Sequence, residues 1–208
     1  MICIVGIVSE QVSRGDPERR RQVLEAALTT FARHGFRKAS MDEIARHADI
    51  SRPGLYFLFA DKETLFREAM QQALDSALDA ASSALEATSA PLGDRVVNGL
   101  DAWLGRFVGT SIDAGTAELL EHNTAQLGTM YSDYRTAFQG VLGRMLAREK
   151  IADARVARET AEFLHAAAIG WKHEVGTRDE FVAKLATAVR VLGFPCRAER
   201  RASRHHTD

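Results

Sequence analysis

Apolar residues recur at spacings of three and four along most of the chain, and the strict alternation of a half-buried strand is hard to find. Pro17 suits a helix's first turn. From it, Val23, Leu24, Ala27, Leu28 and Phe31 share one face, and Gly35 supplies a stop. Ser40-Met41-Asp42-Glu43 has the form of a capping box, in which the Ser40 hydroxyl accepts the Glu43 amide and the Glu43 carboxylate reaches back. The helix it opens turns Met41, Ile44, Ala45 and Ala48 inward and has room for about two to three turns. Asp49-Ile50 reads as a tight turn. Ser51 then caps a third short helix, with Pro53 in its first turn and Leu55, Tyr56 and Phe59 following. Asp61 caps a fourth helix that starts at Lys62 and runs long, with Leu65, Phe66, Ala69, Met70, Ala73, Ala77, Ala81 and Ala84 inward, and ends before Pro91-Leu92-Gly93.

Beyond Pro91 the same spacing predicts further helices: one carrying Leu100, Trp103, Leu104 and Phe107, then about Thr116 to Met130, Tyr131 to Arg148, Ala154 to Val175, and Asp179 to Leu192. Composition agrees. Alanine (33) and leucine (19) are a quarter of the 208 residues, both are strong helix formers, and no proline lies between residues 92 and 194. The expected fold class is all-α: an N-terminal three-helix helix-turn-helix domain followed by a C-terminal helical domain. The expected boundaries are a flexible extension over 1–15, the helix-turn-helix domain over 16–62 with its motif at about 40–59, the second helical domain over 63–194, and a disordered basic tail over 195–208.

Hydrophobic residues make up 46% of the chain and charged residues 26%, the balance of a protein that can bury a core. No apolar run approaches the ~18 residues of a membrane span, so no membrane partner is expected. Cys3 and Cys196 lie near opposite ends, which argues against a disulfide framework. The apolar start, Met1 to Val8, lacks the basic region and cleavage site of a signal peptide. The net charge of −1 excludes a protein that coats nucleic acid by bulk charge, but it hides unlike parts. Residues 1–62 carry 10 basic and 8 acidic groups, residues 63–194 carry 13 and 18, and the tail carries 4 and 2. A small basic excess in the head means that any grip on a polyanion rests on a few placed groups and not on bulk charge.

Two short helices joined by a tight turn over Ser40 to Phe59 have the size of a helix-turn-helix, backed by the helix from Pro17. The second short helix fits a major groove about 12 Å wide. Arg52 near its start is the kind of side chain that reads guanine or grips phosphate, and the helix start at Lys62 suits a phosphate. Val23-Leu24-x-x-Ala27-Leu28-x-x-Phe31, Gly35-Phe36, Ser40-Met41-x-x-Ile44-Ala45, Ile50-Ser51-x-x-x-Leu55-Tyr56-x-x-Phe59 and Lys62-Glu63-x-Leu65-Phe66 resemble the tetracycline-repressor (TetR/AcrR) family over about residues 17 to 66. The resemblance implies a homodimeric transcriptional repressor of the bacterial cytoplasm, with double-stranded operator DNA, a small-molecule effector and a second copy of itself as partners, and with no cofactor. By the family's pattern Tyr56 and Lys62 hold phosphates, Ser40 caps near the DNA backbone, Ser51 starts the recognition helix, and Arg52, Pro53 and Gly54 face bases. Phe57-Leu58 departs from the family's histidine and aromatic. Apolar contact of Pro53 or Phe57 with thymine methyls is a replacement for hydrogen-bond readout. Asp49 stands where the family has glycine.

In the C-terminal half, Trp103, Phe107, His122, Tyr134 and Phe138 are the expected lining of an effector pocket, although any bundle also needs aromatics for its core. Ala157, Ala161, Leu164, Ala168 and Trp171 form one stripe and Phe181, Leu185, Ala188, Val189 and Leu192 another. The resemblance assigns such helices to a dimer interface, and packing within one subunit is the alternative. A ligand-independent DNA-binding or architectural factor is the second functional reading. A helical metalloenzyme is a remote third, because Glu162-x-x-His165 occurs once and a di-iron bundle needs two such motifs. No metal site and no catalytic group are expected.

Overall fold

The computed structural model describes residues 17–108, 119, 124–150 and 153–196, without the side chains of 107, 124 and 125. Every regular element among the described residues is helical: α1 (Pro17–Lys38), α2 (Met41–His47), α3 (Arg52–Leu58), α4 (Lys62–Glu86), α5 (Leu92–Leu104) with a 3-10 turn at Gly105–Phe107, α6 (Thr124–Leu127), α7 (Met130–Arg148), α8 (Ala154–Glu174) and α9 (Arg178–Val191). None is long and apolar enough to cross a membrane. The expected extension over 1–15 and most of the basic tail lie outside the described residues.

The first three helices share one apolar centre at the N-terminal end. Val23, Ala27 and Phe31 of α1, Ile44 of α2 and Leu55 of α3 are all fully buried against Leu65 and Phe66 of α4. Phe66 meets Phe31 edge-on at 5.0 Å, and the ring of Phe36 completes the cluster. Gly35 breaks α1 as the sequence predicts, because its backbone (φ 74°, ψ 159°) is one that only glycine adopts freely. A last turn reaches Lys38 beyond the break.

α4 is the spine. It packs on α1 at its start and on α5 and α7 further along, so one continuous helix joins the two domains. Its buried face contains the predicted set except the half-buried Ala84, and adds Leu74 and Leu85. α5, α7, α8 and α9 complete the bundle.

Two expectations need correction. The single helix from Thr116 to Met130 does not form across the described part: α6 ends at Leu127, and Gly128 at φ +57° turns the chain before α7. The tail also starts later than Pro195. Phe194 is buried, the Pro195 carbonyl accepts the Gly93 amide at 2.9 Å, and Cys196 packs on the start of α5. Gly93 permits this approach, since a Cβ there would stand 2.4 Å from the Cys196 sulfur.

Candidate nucleic-acid interface

α3 has seven residues, and caps rather than length hold it in place. The Ser51 hydroxyl accepts the Gly54 amide at 3.1 Å, with Pro53 in the first turn. Leu55 is its one fully buried residue. At the far end the Leu58 carbonyl accepts Arg20 Nη1 at 3.0 Å. The same guanidinium lies 4.2 Å over the Phe59 ring and pairs with Glu68 of α4, so Arg20 ties α1, α3 and α4 together. Between α2 and α3, Asp49 takes the left-handed conformation (φ 51°) expected of a residue standing in for glycine, and its carbonyl accepts Arg19 Nη2 at 3.2 Å.

With Leu55 inside, most of α3 faces out. Arg52, Pro53, Tyr56 and Phe57 are exposed, and Phe57 is 68% exposed, the more open of the two aromatics. Leu58 by contrast packs on the core. Arg52 is not loose. Its Nε and Nη1 meet the two carboxylate oxygens of Asp42 at 3.1 and 3.2 Å, and its guanidinium lies 5.7 Å from the Tyr56 ring centre. Tyr56 first, and Asp42 second, favour its charged form. The surface is thus a fork of fixed orientation beside two exposed rings.

Ser40 caps α2 by accepting the Glu43 amide at 3.2 Å. The return half of the predicted capping box is replaced, because the Glu43 carboxylate lies 3.0 Å from His34 Nε2 on α1. Thr30 and His47 make a second α1–α2 link at 3.1 Å. At the start of α4, Asp61 accepts the Thr64 amide at 2.7 Å, a bond that holds its carboxyl below the usual range. Lys62 is turned inward. Its ammonium donates to the Arg37 and Ala39 carbonyls at 3.3 and 3.1 Å and sits 4.8 Å from the Phe36 ring centre, so it closes the C-terminal end of α1. The carbonyls left unpaired where a helix ends attract a cation, which is why Lys62 goes there. A phosphate at Lys62 would have to draw it away.

The residues expected to line a pocket behave differently. Trp103 and Phe138 are fully buried and stacked, with ring centres 5.1 Å apart and planes within 7°. Trp103 Nε1 donates to His165 Nε2 at 3.2 Å, which leaves the single ring proton on Nδ1. The Gln139 amide group, 3.3 Å from Nδ1, must present its oxygen there. Burial first, and then Arg135 and Lys172, push the His165 pKa down to about 4, so the ring is neutral. Tyr134, one turn before Phe138, instead bonds Asp75 of α4, and burial with that carboxylate raises its pKa to about 12. His122 and the Phe107 side chain lie outside the described residues.

Ala161, Leu164, Ala168, Phe181, Leu185 and Val189 all turn inward and are fully buried within one chain. Their stripes face α5, α7 and each other, so the residues expected at a dimer interface form this subunit's own core. The outer face of the same two helices carries further apolar side chains. Phe163, Val191 and Leu192 are exposed, and with Trp171 and Ala188 they line an open groove of about 530 Å³. Glu162 is exposed while His165 is buried, so that motif does not converge on one point. Among the described residues no three His, Cys, Asp or Glu side chains are placed to hold a metal.

Periodicity does not flag Arg20 or Asp42, and it singles out His165 only in a Glu-x-x-His spacing, since the partners of each come from other helices. The model of the bacterial regulatory proteins of the tetR family matches residues 23–69, from α1 to the first turns of α4. The chain is 39% identical over 72 residues to the transcriptional activator FasR of Mycolicibacterium smegmatis, covering 35% of this chain and 33% of that protein. It is 32% identical over 113 residues to the uncharacterised regulator YhgD of Bacillus subtilis, covering 54% and 56%. It therefore spans about a third of the one relative's length and about half of the other's. In structure it is similar to a tetR-family transcriptional regulator from Streptomyces coelicolor, with a TM-score of 0.62, 24% identity, and 86% of this chain and 81% of that one covered. A TetR-like regulator from Rhodococcus gives 0.63, 22%, 83% and 94%, a likeness of fold. With the capped α2–α3 pair inside it, the segment from residue 23 to residue 69 is a domain of the tetR kind found in bacterial regulatory proteins, and the helical body behind it shares the fold of such regulators.

Proposed function

We propose that the protein is a homodimeric, operator-binding transcriptional repressor released by a small-molecule effector held in the helical body. The observation that carries the DNA reading is α3. A helix with one buried anchor and an exposed Arg52, Pro53, Tyr56 and Phe57 suits a major groove and has no packing reason to expose two rings. Tyr56 and the capped start of α2 face the phosphates beside it. Lys62 acts chiefly by fixing α4 against α1.

Two such helices reach successive major grooves when they stand about 34 Å apart. Dimerisation through the outer face of α8 and α9 would set that spacing, with Phe163, Trp171, Val191 and Leu192 against their copies across a two-fold axis. An effector shifts the spacing only if it binds one arrangement more tightly than the other. α4 is the connecting lever.

The test is selection of DNA from a random pool, followed by anisotropy titration at several salt concentrations. A palindromic site should emerge. Arg52→Ala should cost about tenfold or more at its own base pair, and Tyr56→Phe should weaken all sequences evenly. If no sequence is enriched, the reading fails. One observation favours a ligand-independent binder: Trp103 and Phe138 are spent on core packing. A thermal-shift screen in which no compound raises the melting temperature would move the conclusion there.

A further inference from the structure

Where α4 ends and α5 begins, a groove of about 400 Å³ opens toward the last turns of α7, apart from the Trp103–Phe138 stack. One wall is a single face of α7, on which Val141, Arg144, Met145 and Arg148 follow at helical spacing. Arg95 of α5 also lines it, 5% exposed. Its Nε donates to the Leu85 carbonyl at 2.8 Å and its Nη1 to Glu149 at 2.5 Å, which fixes the guanidinium in place. Arg144 and Arg148 are exposed and make no hydrogen bond or ion pair among the described residues. Glu86 on α4 stands on the other wall.

Charge makes this placement unusual. Residues 63–194 carry 13 basic against 18 acidic groups, yet three of the 13 converge on one groove. Only Arg95 has its charge answered, by Glu149. Two adjacent guanidiniums present planar donor forks, the geometry that holds carboxylate or phosphate. Val141 and Met145 add apolar contact beside them, which a bare inorganic ion would not use.

We propose that this groove binds a small organic anion carrying two or more negative charges, as carboxylate or phosphate. Arg144 and Arg148 grip the anionic groups, the Arg95–Glu149 pair forms a fixed floor whose charges cancel, and Val141 and Met145 cover the carbon skeleton. Because the groove is bounded by the end of α4, an anion bound there is positioned to bias the lever. That consequence rests on the DNA-binding reading, whereas binding itself does not.

The experiment is calorimetric titration of the whole chain, without DNA, at about 150 mM NaCl. Citrate is the carboxylate probe and fructose 1,6-bisphosphate the phosphate probe. Saturable binding of one molecule per chain is expected for at least one of them, and the better probe identifies the anionic group. The double variant Arg144→Ala, Arg148→Ala should weaken it by about tenfold or more at an unchanged melting temperature, and Glu86→Gln should tighten it by about twofold. Silence from both probes would overturn the proposal, as would equal affinity in the double variant. The outcome is read without operator DNA, so it stands or falls separately from the repressor reading.

Discussion

The head and the body of this protein treat their large side chains in opposite ways. On α3 the residues expected to meet DNA stand outside, with Phe57 68% exposed, while Leu55 and the half-buried Leu58 carry the helix into the core. In the body, Trp103, Phe138, Leu164 and Phe181 sink out of reach of solvent. The difference follows from element length and neighbours. A seven-residue helix has one face to bury, so a ring off that face needs another reason to be there. The longer helices of the bundle have neighbours on more than one side, and regular spacing says only that a stripe is covered, not by what.

The inner and outer stripes of α8 and α9 give the largest test of this contrast. Phe181→Ala should remove about 3–5 kcal/mol of stability in urea denaturation, because it empties a filled core position. Val191→Asp, on the open groove, should leave the far-ultraviolet spectrum intact and convert a dimer to monomer in sedimentation. If Phe181→Ala proved harmless to stability and broke the dimer instead, the two faces would have to be exchanged.

The buried polar contact in the body comes next in size. The folded His165 pKa of about 4 lies below its ordinary 6.5, so the unfolded chain takes up the proton first as pH falls. The stability is whole above pH 6.5 and is lost progressively down to about pH 4, by about 3 kcal/mol in all. Denaturant midpoints measured across that window should fall. His165→Leu should flatten the slope while lowering the plateau, since Trp103 Nε1 loses its acceptor. An equal slope in both proteins would place the titration elsewhere.

What was legible from residue order divides along the same line. The caps at Ser40, Ser51 and Asp61 could be read because a cap and its amide are three residues apart. The turn at Asp49 and the break at Gly35 were readable from single residues. Arg20 was not, since the carbonyl it closes is 38 residues away. Nor was the inward turn of Lys62, which depends on how α4 crosses the end of α1. In the body, which of two faces on α8 and α9 goes inward is decided by neighbouring helices, and the stripes of small residues gave no sign of it.

Phe57 tests the head without touching its stability. Phe57→Ala should leave the unfolding free energy within about 0.5 kcal/mol, because the ring is mostly exposed. Affinity for the selected operator should fall several-fold, to about tenfold, with the loss confined to sites carrying thymine at one position. Loss of stability with intact DNA binding would mean that the ring packs like those of the body.

The smallest expected effect is the most informative about how the head discriminates. Asp42 holds the Arg52 fork at 3.1 and 3.2 Å, so on the proposed reading the guanidinium would meet a groove oriented and part-neutralised. An exposed pair of this kind adds little to folding, and its use lies in what it denies: a free arginine grips any phosphate, whereas a held one keeps its remaining donors for a base edge. Asp42→Asn should release Arg52. Binding to random DNA should then strengthen and its salt slope steepen by about one, while the preference for the operator narrows. The same change made in an Arg52→Ala background should do much less. An Asp42→Asn effect of equal size with and without Arg52 would show that the carboxylate acts by simple repulsion of the DNA backbone, and Arg52 would lose its claim to an orientation set in advance.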